Sequence, residues 1–153
     1  MSHTQIDVHI VLRTKYSEKS LLQHNIAELY KYIWGIIKNK KCHLYRINGI
    51  EDHIHIFLSL HPTIALADLV KSIKVATNLW MKSHTAFPLF KGWGEGYAAF
   101  SCRYKDKSQV IRYIMNQQEH HRKENFREEI IRIFKEEDLE LDDSFLSWFN
   151  PTG

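Results

Sequence analysis

At 153 residues, 44% hydrophobic and 12% aromatic, the chain is long enough for one packed domain and too short for two. No stretch reaches the ~18 uninterrupted apolar residues of a membrane span, and Met1-Ser2-His3-Thr4-Gln5 lacks the charged and apolar regions of a secretion signal, so a cytoplasmic protein is expected. The net charge of +3 is unevenly spread: residues 127–153 hold eight acids against Arg127, Arg132 and Lys135, which leaves that segment at −5 and the rest at +8.

The first four-fifths therefore suits a polyanionic partner, and the acidic tail reads as a solvated helical face or an inter-subunit contact. Cys42 and Cys102 stand far apart without a CxxC partner, which argues against a disulfide framework or a zinc cluster and for two packed thiols.

In chain order, Thr4–Arg13 alternates as a strand with Ile6, Val8, Ile10 and Leu12 on one face. Ser17 can cap a helix in which Leu22, Ile26, Leu29, Ile33 and Ile37 keep a 3.6-residue period. Cys42–Ile47 reads as a second strand, joined through an Asn48-Gly49 turn to a third, His53–Leu60. Leu66, Leu69, Val70, Ile73 and Leu79 define a second helix to Lys82, and the Gly-rich Lys91–Gly96 stretch ends that pattern. Tyr97–Arg103 reads as a fourth strand, Ser108 caps a helix to about His121, and one or two short acidic helices follow. The expected fold is α+β: a ferredoxin-like split β-α-β-β-α-β core with an antiparallel sheet and C-terminal helices.

Side chains alternate across a strand, so Glu51, His53, His55 and Phe57 share one face of the third strand while Ile54, Ile56, Leu58 and Leu60 face the core. Two histidines spaced this way either hold one cation or stand as half-exposed strand residues. Asp52 should point away from them, as a turn former or a partner behind the ligands. At 100° per residue, Ile111, Ile114, Met115 and Gln118 form the apolar stripe of the following helix, with Tyr113, Gln117, His120 and His121 on the opposite side. Tyr113 and Gln117 are i,i+4 neighbours that can share a ligand, and a helical layer over the histidine face would bring them to His53 and His55. His120 and His121 read either as helix-end histidines favoured by the dipole or as helpers at the site. Arg13, Lys15, Lys71, Lys74 and Arg103 can follow a phosphate backbone or form a solvated basic face. Trp93, Tyr97 and Phe100 can stack on unpaired bases or belong to the core.

Together, Thr14-Lys15-Tyr16, Glu51-Asp52-His53-Ile54-His55, Gly96-Tyr97-Ala98-Ala99-Phe100-Ser101 and Tyr113-x-x-x-Gln117 resemble the single-tyrosine HUH transposases, the small insertion-sequence and REP-associated tyrosine transposases. The resemblance spans roughly residues 4–125, which gives a nuclease domain at 1–125 with residues 126–153 as its acidic helical extension. It implies metal-dependent cleavage and rejoining of single-stranded DNA beside hairpins, through a 5′-phosphotyrosine and a free 3′-hydroxyl. Tyr113 is then the nucleophile, and His53, His55 and Gln117 bind Mg²⁺ or Mn²⁺, with Asp52 and His121 behind them. It also implies a homodimer with the tyrosine helix supplied in trans, active at the nucleoid. Such a set suits the chemistry, because phenol, with a pKa near ~10, is a poor nucleophile until its charge is stabilised. Two other readings remain: a domesticated protein that binds or processes hairpin DNA without transposing, and a histidine-triad nucleotide hydrolase, in which Phe57 stands where a third histidine is required.

Overall fold

The structure is a computed structural model that describes residues 2–140 and 142–143. Four strands, β1 (Asp7–Arg13), β2 (His43–Ile50), β3 (His53–Ser59) and β4 (Ala98–Cys102), form one antiparallel sheet in the order β2-β3-β1-β4. This is the order of a split β-α-β-β-α-β unit, and it places β1 and β3, which carry His9, His53 and His55, at the centre of the sheet.

Alternation divides the sheet into two unlike faces. Val8, Ile10, Leu12, Ile54, Ile56 and Leu58 are buried against Leu29, Ile33 and Ile37 of α1 (Ile26–Asn39) and Leu69, Val70 and Ile73 of α2 (Leu66–Ser83). On the other face, Val11, Ala98 and Phe100 pack against Phe126, Ile130, Ile133 and Phe134 of a helix from the acidic segment, α5 (Phe126–Glu136). That face is also covered by α3 (Lys107–Met115), which lies over β2, and the single turn α4 (Gln117–His120).

Several local expectations shift. The first helix begins at Ile26, not after Ser17: Tyr16 and Ser17 have φ of 59° and 55°, and 3-10 turns at Lys15–Ser17 and Gln23–Asn25 occupy the approach. The β2–β3 turn falls at Glu51-Asp52, because Asn48 and Gly49 are paired inside the hairpin with His55 and Ile54. A Cβ at Gly49 would collide with the His53 carbonyl oxygen and lie 2.7 Å from Ile54 Cα, so glycine serves close strand approach and not the turn. Leu79 is 66% exposed, and the buried line of α2 runs instead through Thr77 and Met81. The helix expected to reach His121 breaks at Asn116. Its buried members are Ile114 and Gln117, while Met115 and Gln118 are exposed.

The acidic segment departs furthest from expectation. Its helix α5 starts with a capping box, in which Asn125 accepts from the Glu128 amide and the Glu128 side chain accepts from the Asn125 amide. From there it seals the sheet with Phe126, Ile130, Ile133 and Phe134. Leu141 and residues 144–153, where a last short helix was expected, lie outside the described residues.

Candidate active site

Strand β3 delivers His53 and His55 to the face beneath α3 and α5, and both are fully buried. Their Nε2 atoms each lie 3.1 Å from Glu129 Oε1, and His121 Nε2, arriving from the end of α4, lies 3.1 Å from the same oxygen. The second carboxylate oxygen of Glu129 accepts from the Tyr113 hydroxyl and from Gln117 Nε2, the latter at 2.9 Å. Gln117 Oε1 faces His121 Nε2 at 3.2 Å. Tyr113 and Gln117 thus lie on one side of their helical segment, as expected, and the structure joins them to the histidine pair within a single chain.

Sequence reasoning missed Glu129, whose side chain is 0% exposed. Its neighbours Glu128, Glu136 and Glu137 hid it among acids of a solvated face. The discriminating signal was α5's own periodicity: Glu129 falls on the stripe of Phe126, Ile130 and Ile133, where an acid is costly without buried cationic or polar partners.

The remaining ring nitrogens are all anchored. His53 Nδ1 is 2.6 Å from Asp52 Oδ1, His55 Nδ1 is 2.7 Å from His9 Nε2, and His121 Nδ1 donates to the Glu124 carbonyl oxygen at 3.0 Å. Asp52 therefore reaches back to His53 in spite of its position on the opposite side of the strand. Such partners fix the orientation of metal-binding imidazoles and aim Nε2 at a common centre.

The site's charges are strongly coupled. Burial opposes charge on His53, yet Asp52 and Glu129 hold it protonated up to about 9. Burial lowers His55 in spite of Glu129, and it lowers His9 to about 3 with the help of His55. Burial also disfavours the Glu129 carboxylate, but His55, His121 and His53 outweigh it and keep the group ionised well below the usual carboxylate range. Tyr113 is pushed well above an ordinary phenol by burial and by Glu129, with Arg132 pulling the other way. Arg132 Nη2 donates to Tyr113 Oη at 2.9 Å.

The donor set fits a divalent cation. Imidazole and carboxylate ligands about 2.1 Å from one ion sit about 3 Å apart around it, the spacing of each Nε2 from Glu129 Oε1. The four ligand atoms lie within 4.8 Å of one another.

The five cations expected at a phosphate backbone are spread apart. Arg103 lines a cleft of about 560 Å³ beside Tyr113, together with His9, Phe100 and Gln109, and pairs with Asp106. Lys15 and Lys74 line a separate basic groove with Lys82, Lys91 and Trp93. Lys74 also donates to the carbonyl oxygens of Gly94 and Gly96. Lys71 is exposed on α2, and Arg13 is buried against Gly94.

Residues 2–117 match the model of the IS200-like transposases. The chain belongs to this family. It is 24% identical over 120 residues to the ISDra2 transposase TnpA of Deinococcus radiodurans, an alignment covering 74% of this chain and 84% of that protein. Two solved structures share the fold. A crystal structure from Deinococcus radiodurans, described as a transposase, has a TM-score of 0.59 at 24% identity and covers 76% of this chain and 93% of its own. A REP-associated tyrosine transposase bound to a REP hairpin has a TM-score of 0.60 at 14% identity and covers 79% and 74%. The family match ends at Gln117, so His121, Glu124, Glu129 and Arg132 lie beyond it.

Proposed function

We propose that this IS200-like transposase is a metal-dependent endonuclease and strand transferase for single-stranded DNA beside hairpins, with Tyr113 forming a 5′-phosphotyrosine and releasing a free 3′-hydroxyl. The observation that carries the reading is that Tyr113 Oη and three convergent imidazoles share one buried carboxylate, Glu129. His53, His55, His121 and Glu129 hold the cation, and Gln117 Oε1 is the adjacent oxygen donor. When bound, the cation neutralises charge on the scissile phosphate and orients it.

The balance of donors favours Mn²⁺ over Mg²⁺. Three imidazoles suit a transition ion, whereas Mg²⁺ prefers oxygen ligands and retains its waters. Tyr113 supplies the attacking oxygen, Asp52 and His9 keep the imidazoles aimed, and Arg103 at the mouth of the cleft beside Tyr113 meets the DNA backbone. Lys15 and Lys74 supply a basic groove for more distant phosphates, beside the exposed Lys71, while Arg13 supports the Gly94 loop that lines the groove. A hairpin-binding host protein without cleavage chemistry would have no use for a half-buried tyrosine bonded to a buried carboxylate–imidazole cluster. The histidine-triad alternative lacks its third histidine, and Phe57 instead packs against Tyr45 at 5.0 Å.

The test is covalent capture. Hairpin-bearing single-stranded DNA incubated with the protein and Mn²⁺ should yield an adduct that survives denaturant and maps to Tyr113. Tyr113→Phe should form no adduct while binding the same DNA. An adduct at Tyr16, Tyr97 or Tyr104 would overturn the assignment.

A further inference from the structure

We infer that Arg132, on a helix outside the segment that matches the family, is a catalytic residue: its guanidinium stabilises the charge on Tyr113 Oη when that oxygen attacks and when it leaves. The inference rests on Tyr113 being the nucleophile.

Three features place Arg132 in this role. Its Nη2 donates to Tyr113 Oη at 2.9 Å, directly at the reacting atom, and its guanidinium carbon lies 5.3 Å from the centre of the Tyr113 ring. The fork is held rigidly: Nε and Nη2 donate to the Glu124 carboxylate at 3.2 and 2.6 Å, and Nη1 donates to Glu136 at 3.0 Å. Finally, Tyr113 needs such a partner. Its other hydrogen-bond partner is the carboxylate of Glu129, which accepts a hydrogen bond from the phenol but repels a phenolate.

Cleavage forms the Oη–P bond as the P–O3′ bond breaks. Oη gives up its proton as it bonds to phosphorus and the departing 3′-oxygen takes up one proton, so the step is proton-neutral overall and Glu129 remains ionised. In rejoining, a 3′-hydroxyl gives up its proton as it attacks phosphorus, P–Oη breaks with the electron pair going to Oη, and the phenolate so formed takes up one proton to restore the phenol. In both directions negative charge appears or is spread at Oη, 2.9 Å from a cation that two carboxylates hold in place. A pre-positioned donor of this kind needs no reorganisation during the reaction. A fastening role for α5 is the competing account, since Arg132 also ties Glu124 to Glu136.

Chemical rescue separates the two. With the full chain, Mn²⁺ and hairpin-bearing single-stranded DNA, Arg132→Ala should slow adduct formation by about 10²–10³-fold, with DNA binding and thermal melting close to wild type. Ethylguanidinium in solution should restore much of the lost rate in Arg132→Ala and none in Tyr113→Phe, and Arg132→Lys should fall between. Near wild-type rates in Arg132→Ala overturn the inference. So does a loss of rate that tracks a loss of melting temperature and resists ethylguanidinium. Should Arg132→Ala fail to fold, Arg132→Lys carries the test, and a rate equal to wild type overturns it. These failures leave the wild-type adduct on Tyr113. An adduct on another residue, or one that persists in Tyr113→Phe, defeats the nucleophile assignment instead.

Discussion

Glu129 and Tyr113 are joined through a single hydrogen bond, in which the phenol donates to the same carboxylate whose other oxygen faces His53, His55 and His121. One side chain thus connects the reactive oxygen to the convergent imidazoles, and it comes from the acidic helix.

This gives Glu129 a testable sign. As the only formally charged donor of the cluster, it should strengthen cation binding, so Glu129→Gln should weaken Mn²⁺ binding measured by calorimetry. The loss should be at least the roughly 10–100-fold seen when an outer partner of a metal ligand is removed. Tighter Mn²⁺ binding or faster cleavage in Glu129→Gln would show that the carboxylate obstructs the centre.

The fold and half of the site were readable because they depend on local periodicity. The alternation in β1 and β3 put Ile and Leu on one face and His53 and His55 on the other, and the i,i+4 spacing joined Tyr113 to Gln117. What could not be read depends on contacts between elements distant in sequence. The break at Asn116 turns the chain so that His121 reaches a centre 68 residues after His53, and Glu129 becomes buried only because α5 lies across β1 and β4. The Asn48-Gly49 pair misled for a similar reason: its strength as a local turn signal was overridden by strand pairing and by the helix that Asn48 holds.

Gly49 makes that last point measurable. Ala at this position brings a methyl group against backbone atoms of His53 and Ile54, which cannot swing aside as a side chain would. Overpacking of this kind costs about 1–3 kcal/mol, or a melting temperature lower by roughly 2–4 °C per kcal/mol for a chain of this size. A Gly49→Ala protein that melts with the wild type would refute the close approach.

Removing the apolar seal of α5 should cost more. Ile130 is fully buried between the sheet and the helix, so Ile130→Ala should destabilise the protein by about 2–5 kcal/mol and reduce adduct formation as Glu129 and Arg132 lose their seat. Urea unfolding checks the first effect and single-turnover cleavage the second. If stability falls while cleavage is untouched, the helix does not carry the site.

The final prediction concerns which chain supplies the tyrosine. The resemblance implied a helix delivered in trans, but here α3 is fastened to its own hairpin. Asn48 Nδ2 donates to the carbonyl oxygens of Ile114 at 2.9 Å and Met115 at 3.2 Å, and Gln118 Nε2 donates to Asn48 Oδ1 and the Gly49 carbonyl oxygen, both at 3.0 Å. The chain then continues through His121 to α5, which is buried on the same sheet. Exchanging α3 between subunits would require every one of these bonds to be re-formed on the hairpin of a second copy, with His121 and Glu129 carried across on the same segment, and each bond not re-formed costs about 1 kcal/mol. A mixture of Tyr113→Phe with His53→Ala/His55→Ala, allowed to exchange subunits, should therefore remain inactive, because no site regains all three side chains. Asn48→Ala should loosen α3, lowering kcat more than it raises KM. Recovery of cleavage in the mixture would show that the tyrosine helix crosses between chains when DNA is bound.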